Sequence, residues 1–200
     1  MKKIIKDTLI LTAITVIAGL CLGYVYDITK DPIREAREKA KQDAYRTVFE
    51  DASSFAEGEV SHVANADEML ISLGLPAVRI DEAVEALDAS GNLLGYVMTV
   101  TDSAGYGGDV TIAMGVRNDG TLNGIEFLTL SETAGLGMKA DTPEFKDQFT
   151  NKKVSQFSYT KAGAKSEYEI DALSGATITT SAVTDAVNGG LLYAQMMRGD

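Results

Sequence analysis

The chain opens with an uncharged apolar stretch that is long enough to cross a membrane. The nineteen residues TLILTAITVIAGLCLGYVY (residues 8–26) separate Asp7 from Asp27. At the rise of an α-helix they span roughly 28 Å, close to the thickness of a bilayer's hydrocarbon core. A secretory signal peptide is the alternative, but its apolar region is usually shorter and ends in small residues. Tyr24 and Tyr26 are typical of a membrane interface, so we predict a retained transmembrane helix.

This stretch offers a surface for helix packing but no ion pathway. Thr15, Gly19 and Gly23 fall on one helix face, where small residues let another membrane helix approach closely. Its only ionisable side chains are Cys21 and the two tyrosines near its end. Buried ionisable groups usually mark ion pathways in membranes, so we expect the span to be an anchor.

Basic residues flank the apolar stretch on both sides. Three lysines precede it, and six lysines or arginines follow it between Lys30 and Arg46. Counting basic residues alone favours a cytoplasmic position for the following domain. Long domains can cross regardless of flanking charge, so charge does not settle the side of the membrane.

Composition excludes several classes of site. The net charge is −11, and residues 31–200 hold 14 basic against 27 acidic residues, which argues against nucleic acid as a partner. The chain has one cysteine, Cys21, and one histidine, His62. These numbers exclude a disulfide framework, a structural zinc site and a cysteine-bound iron–sulfur cluster, so we predict no metal site. Redox chemistry would require a cofactor.

We predict three segments: a tail and anchor (residues 1–30), a linker helix (31–50) and one domain (51–200). Asp31 suits an N-cap and Pro32 the first helical position, so the linker helix is predicted over residues 32–50. Residues 51–80 show no clear pattern, and the following PAVRIDEAVEALDASG fits either a strand or a short helix.

Alternating, β-branched sequences begin at Leu93. LLGYVMTVTD, DVTIAMGV and TLNGIEFLTL indicate at least three antiparallel strands, and RNDG between the last two is a hairpin turn. We further predict a short helix over residues 143–149 and short strands over 154–159 and 167–170. A C-terminal helix is expected from Ser181, with a kink at Gly189-Gly190 and the apolar stripe Val183, Ala186, Val187, Leu191 and Ala194. The fold class is α+β, with a central antiparallel sheet and flanking helices.

The stretch DALSGATITTSAV (residues 171–183) joins a predicted strand to the C-terminal helix. A helix N-terminus attracts anions, and Gly175 permits close backbone approach, so this stretch favours binding of a phosphate. A run of Ser and Thr at a helix start is also typical of a simple cap. Both interpretations stay open on local chemistry alone.

SGAT within this stretch resembles the flavinylation motif of the FMN-binding domain family. In that family the threonine that closes the motif carries FMN through a phosphoester bond, which a dedicated flavin transferase forms. The resemblance implies Thr177 as the covalent FMN acceptor. It implies a recognition sequence of Asp171, Ser174, Gly175 and Ala176, and we add Thr179 to the predicted flavin-binding residues.

Two further stretches resemble the same family. GYGGDV (residues 105–110) is similar to its glycine-rich turn and SETAGLG (131–137) to its flavin loop, with Ala134 where the family usually has proline. The resemblance implies that these loops bind the flavin. Thr133 and Leu136 are candidates to hydrogen-bond or pack on the ring, and Glu132 either contacts a flavin hydroxyl or holds the loop. The remaining predicted contacts are Tyr106, which could stack, and Gly137.

The anchor, the chain length and the three motifs together resemble the G subunits of Rnf complexes. The resemblance implies an electron-carrier subunit, incomplete as an enzyme alone, of a membrane-bound ferredoxin:NAD oxidoreductase that translocates ions. It implies a single-pass protein of the cell membrane with its domain on the extracytoplasmic side. The implied partners are an iron–sulfur-bearing subunit, a second flavinylated subunit and the flavin transferase.

Three alternatives remain from the sequence. The C subunit of a sodium-translocating NADH:quinone oxidoreductase shares the flavinylation motif but is usually longer. An anchored binding module without flavin would use SGAT only as a helix cap. A free-standing flavinylated protein could serve extracellular reductases.

Overall fold

The structure is a computed structural model that describes residues 1–56 and 66–199, with only the backbone of Asp67. His62 lies outside these residues. The chain divides into two compact units, Met1–Ala40 and Lys41–Asp200. The first contains only helix; the second contains the sheets and the candidate site.

One continuous helix, α1 (Lys2–Val48), contains the whole apolar stretch. No residue of its most apolar part is buried within the protein, and its length and composition suit a membrane span. The predicted helix start at Pro32 is wrong, because Pro32 lies inside α1. Ion pairs at i, i+3 spacing lie before the proline (Asp27–Lys30) and across it (Asp31–Arg34).

The second unit is organised around an antiparallel sheet with strand order β1-β2-β3-β4-β5. This sheet confirms the predicted antiparallel strands, and the ambiguous segment before Leu93 is a strand. The strands are β1 (Ser54–Ala56), β2 (Val78–Leu87), β3 (Leu93–Asp102), β4 (Val110–Arg117) and β5 (Leu122–Leu130).

Shorter elements surround this sheet. The predicted helix over residues 143–149 is present as α3 (Pro143–Lys146) continued by a 3-10 turn, Asp147–Phe149. The two predicted short strands are shifted towards the C-terminus and pair with each other in parallel. The remaining elements are α2 (Ala66–Ser72), a 3-10 turn (Gly137–Asp141), β6 (Ser158–Thr160), β7 (Glu169–Asp171) and α4 (Thr177–Arg198).

Helix α4 covers one face of the sheet. Its predicted apolar stripe is buried, and it packs against alternate residues of β3 and β4, including Met98, Val100 and Met114. The helix runs unbroken through Gly189 and Gly190. These glycines allow close approach instead of marking an interruption: a Cβ atom at Gly189 would lie 2.6 Å from Cγ1 of Val78, and one at Gly190 would overlap Sδ of Met114.

The last two turns of α1 cover the opposite face. This layer packs on the residues of β2, β3 and β4 that alternate with those facing α4, and it consists of Ala44, Tyr45 and Val48 together with Phe49, which directly follows α1. The Tyr45 hydroxyl hydrogen-bonds Thr99 Oγ1 (2.8 Å) and donates to Glu82 Oε2 (3.0 Å), which also accepts a bond from Lys41. Burial of this network raises the pKa of Tyr45 to about 12. The sheet therefore lies between two helical layers.

The contact between α1 and the sheet predicts a contrast between two paired glycines. Gly115 of β4 lies opposite Gly124 of β5. A Cβ atom at Gly115 would lie 2.5 Å from the backbone oxygen of Val48, whereas one at Gly124 would meet only Thr150 Oγ1 at 3.5 Å. We expect Gly115→Ala to lower the free energy of unfolding by about 2 kcal/mol or more.

Gly124→Ala is the matched control and is expected to change stability by less than about 1 kcal/mol. Chemical denaturation of the full-length protein in detergent, followed by circular dichroism, measures both variants. Equal effects of the two substitutions would contradict the close packing of Val48 on β4.

Candidate functional site

Three loops meet at one pocket in the second unit. They are the β3–β4 connection, the loop that follows β5, and the turn that leads into α4. The pocket has a volume of about 500 Å³, within the range typical of small-molecule sites. Its lining residues are Tyr106, Glu132, Thr133, Leu136, Gly137, Gly175, Ala176, Thr177, Ile178 and Thr179.

Glu132 joins the first two loops. The residue is 9% exposed, and its Oε1 accepts hydrogen bonds from the backbone N–H groups of Tyr106 (2.9 Å) and Gly107 (3.4 Å). A carboxylate makes stronger hydrogen bonds than a neutral acceptor. Glu132 therefore holds the loop; a contact with a flavin hydroxyl stays a prediction.

Asp102, which sequence analysis did not single out, fixes the start of the β3–β4 connection. It is 1% exposed, and its Oδ1 accepts a hydrogen bond from the backbone N–H of Ala104 (2.6 Å). Burial raises the pKa of this carboxyl, and the negative charges of Asp185 and Asp109 raise it further. Asp102 does not line the pocket but positions the turn that carries Tyr106.

Helix α4 begins at Thr177, four residues before the predicted start at Ser181, which is wrong. Threonines usually favour caps over helix interiors, because their hydroxyls compete for backbone groups. Here the hydroxyls of Thr180 and Thr184 donate to the carbonyls four residues earlier, Ala176 O and Thr180 O. The threonine-rich stretch therefore continues the helix instead of preceding it.

The beginning of α4 is open to an anion. Its N-cap, Ala176, makes no side-chain capping hydrogen bond, and the first N–H groups of a helix have no acceptor within it. Thr177 lines the pocket there. Within residues 1–56 and 66–199 we find no hydrogen-bond partner for the Thr177 hydroxyl. The positive end of the helix dipole and a free hydroxyl thus meet at one point.

Gly175 shapes the turn before α4. Its φ of +78° lies in the left-handed region, which favours glycine. A Cβ atom there would also lie 3.2 Å from Cδ2 of Leu136, so the turn packs on the loop that follows β5. The structure thereby brings the SGAT stretch and the SETAGLG stretch together.

Most of the predicted site residues line this pocket; Asp171 and Ser174 do not. Asp171 is exposed at the end of β7, where its carboxylate accepts a hydrogen bond from the backbone N–H of Ala164 (2.7 Å). Ser174 is exposed in the turn. Ile178 was not predicted, although an apolar residue among threonines at a helix start was a usable signal.

The pocket suits binding better than acid–base catalysis. In the described part of the chain, Glu132 and Tyr106 are its only titratable lining residues, and Glu132 is occupied with backbone N–H groups. The apolar side chains around it are exposed: Tyr106 by 70%, Ile178 by 52% and Leu136 by 43%. A flat apolar ligand with an anionic end would cover these side chains and meet the helix N-terminus. Among the described residues we find no cluster that could hold a metal ion.

Comparison with known proteins agrees with this geometry. The FMN-binding domain family model matches residues 105–191, which include all the residues that line the pocket, and the RnfG N-terminal region matches residues 1–48. The chain is 30% identical to the G subunit of the ion-translocating oxidoreductase complex of Methanosarcina acetivorans over 199 residues, 99% of this chain and 98% of the relative. The chain belongs to the RnfG family.

Other relatives separate the RnfG family from its nearest alternative. The G subunit of the Na(+)-translocating ferredoxin:NAD(+) oxidoreductase complex of Acetobacterium woodii is 30% identical over 191 residues, 94% of this chain and 89% of the relative. The C subunit of the Na(+)-translocating NADH-quinone reductase of Pasteurella multocida is 37% identical, but only over 81 residues, 36% of this chain and 31% of the relative. Among these three relatives, the two G subunits match nearly the whole chain and the C subunit about a third of it.

The loop contact made by Glu132 predicts an ordered series of variants. Glu132→Ala removes the acceptor for Tyr106 N–H and is expected to lower the free energy of unfolding by roughly 1–3 kcal/mol. Glu132→Gln keeps a neutral side-chain acceptor and should lose less. Chemical denaturation of the full-length protein in detergent gives both values. Wild-type stability in the alanine variant would show that the two loops are held by other contacts.

Proposed function

We propose that this RnfG-family protein carries FMN covalently on Thr177 and transfers electrons within an ion-translocating oxidoreductase complex. The observation that carries the proposal is the position of Thr177. Its free hydroxyl lies at the N-terminus of α4, in the pocket where three loops of an FMN-binding domain meet.

A phosphoester at Thr177 fits the local electrostatics. The phosphate would be held beside the unpaired N–H groups and the positive dipole end of α4. Attachment joins Thr177 Oγ1 to the phosphorus of an FMN unit activated as a phosphoanhydride. The anhydride P–O bond breaks, a nucleoside monophosphate leaves, and the hydroxyl proton passes to a base, with no change of oxidation state.

The pocket itself does not supply that base. A threonine hydroxyl is a weak nucleophile unless a neighbouring group activates it. Among the described residues no histidine or lysine lines the pocket, and Glu132 already accepts backbone hydrogen bonds. A separate flavin transferase is therefore the proposed maturation partner, with Asp171 and Ser174 as exposed parts of its recognition sequence.

The open side of the pocket suits electron transfer. Bound FMN accepts and donates one or two electrons. Tyr106, Leu136 and Ile178 offer exposed apolar surface to the ring, and Thr133 a hydroxyl for hydrogen bonding. A phosphate tether leaves the ring chemically unmodified, so these side chains adjust its surroundings by contact and burial.

The complex is proposed from the relatives. Because a relative belongs to a ferredoxin:NAD(+) oxidoreductase complex, we assign the same overall reaction, with this chain as one carrier. Its proposed neighbours are an iron–sulfur-bearing subunit and a second flavinylated subunit. We place the chain in the cell membrane through one span in α1, with the domain on the extracytoplasmic side, as its family resemblance implies.

The covalent link predicts a defined change in intact mass. The full-length protein produced with a flavin transferase should gain the mass of one FMN less one water, and Thr177→Ala should gain nothing. Mass spectrometry of the denatured protein measures both. Ser181→Ala is the matched control, since Ser181 lies one helical turn further along α4 and its hydroxyl donates to Asp185.

The bare chain mass under all conditions would favour the alternative of an anchored binding module. A mass gain that persists in Thr177→Ala but is lost in Ser181→Ala would show that Ser181 is the acceptor, and would contradict our proposal.

The membrane side can be tested through cysteine labelling, because Cys21 is the single cysteine. In a Cys21→Ser background, Ser90→Cys puts a thiol in the exposed turn between β2 and β3, and Lys3→Cys puts one before the apolar stretch. A membrane-impermeant maleimide should label Ser90→Cys in intact spheroplasts and Lys3→Cys only after lysis. The opposite pattern would place the domain in the cytoplasm.

A further inference from the structure

A buried hydroxyl next to the acceptor ties the turn before α4 to the helix. Thr180 is 0% exposed. Its Oγ1 accepts a hydrogen bond from the backbone N–H of Leu173 (3.1 Å) and donates one to the carbonyl of Ala176 (2.9 Å). One side chain therefore bonds both ends of residues 173–176, which lead directly to Thr177.

The turn has little other internal support. Its own backbone contributes one hydrogen bond, from Ala176 N–H to Leu173 O (3.1 Å), and Gly175 adopts a left-handed φ within it. Ser174 and Gly175 are exposed. Glycine has the largest conformational freedom of any residue, so an unrestrained turn of this composition would sample several positions. The hydroxyl of Thr180 restricts that freedom.

A second buried threonine provides a contrast. Thr184 lies one helical turn beyond Thr180 and is 3% exposed. Its hydroxyl donates to the carbonyl of Thr180 (2.7 Å), a hydrogen bond inside the helix. The two residues thus share residue type, helix and burial, but Thr180 bonds the turn and Thr184 bonds the helix backbone.

We propose that Thr180 is a positioning residue for flavin attachment. Its two hydrogen bonds fix the turn so that the Thr177 hydroxyl is held at the mouth of the pocket, where the phosphoanhydride donor on a transferase meets it. Correct placement of a nucleophile lowers the barrier to its reaction, and misplacement by about 1 Å can cost up to about a hundredfold in rate. This inference rests on the proposed function of Thr177.

The test is a time course of attachment to the full-length protein in detergent. Purified flavin transferase and excess flavin adenine dinucleotide are added, and the intact mass of the protein is followed over time. Thr180→Val, which keeps the shape but removes both hydrogen bonds, should react roughly tenfold more slowly than wild type or worse. Thr180→Ser, which restores the hydroxyl, and Thr184→Val should both react at nearly the wild-type rate.

The shape of the time course separates positioning from folding. An irreversibly misfolded fraction lowers the final extent of attachment, whereas a misplaced acceptor lowers the rate and leaves the extent complete. Thermal denaturation of each variant accompanies the assay, and Thr180→Ala replaces the valine variant if that protein does not fold. Equal rates for Thr180→Val and Thr184→Val would overturn the role of Thr180.

Thr177→Ala distinguishes this failure from failure of the proposed function. If the wild-type protein gains FMN and Thr177→Ala does not, Thr177 is supported as the acceptor. The attachment rate of Thr180→Val then decides the inference about Thr180. If Thr177→Ala is loaded as fully as wild type, both proposals fall together.

Discussion

The contact between α4 and the sheet is the constraint on which the rest of the domain depends. Gly189 and Gly190 let the helix backbone press against Val78 and Met114, closer than any side chain at those positions would allow. Close-packed interiors do not deform continuously, so this contact fixes the helix both along its axis and around it. The other end of the same helix is Thr177. The packing of α4 on the sheet therefore also determines where the candidate acceptor lies.

The remaining walls of the pocket are held by buried polar groups instead of by regular structure. Asp102 fixes the start of the β3–β4 connection, Glu132 joins that connection to the loop after β5, and Thr180 restrains the turn before α4. Each uses a side-chain oxygen to satisfy backbone N–H groups that no sheet or helix can pair. The site thus consists of two loops and a turn, each of which is held in place by a single side chain. A cofactor that must meet successive partners benefits from such a preset position.

Much of this architecture was readable from the sequence, because the informative patterns were local. Alternation from Leu93 to Leu130 indicated the central strands, and three short motifs located the loops that the structure brings together. The predicted start of α4 was wrong by one turn because threonines are typical of caps, and only the packed helix shows their hydroxyls bonded backwards. Pro32 suggested a helix start, but α1 continues through it, with the exposed ion pair Asp31–Arg34 across the proline. Glu132 had two open roles, and its hydrogen bond from Tyr106 N–H supports the role of holding the loop.

The order in which these parts leave the ribosome adds a consequence of its own. The strands and the first two loops are synthesised before α4, and α4 both completes the core and brings the proposed acceptor hydroxyl. A nascent or truncated chain without α4 has two pocket walls but nothing to load. If Thr177 is the acceptor, as we propose, a chain that ends before α4 cannot carry the flavin. Chains truncated before α4 would then stay colourless.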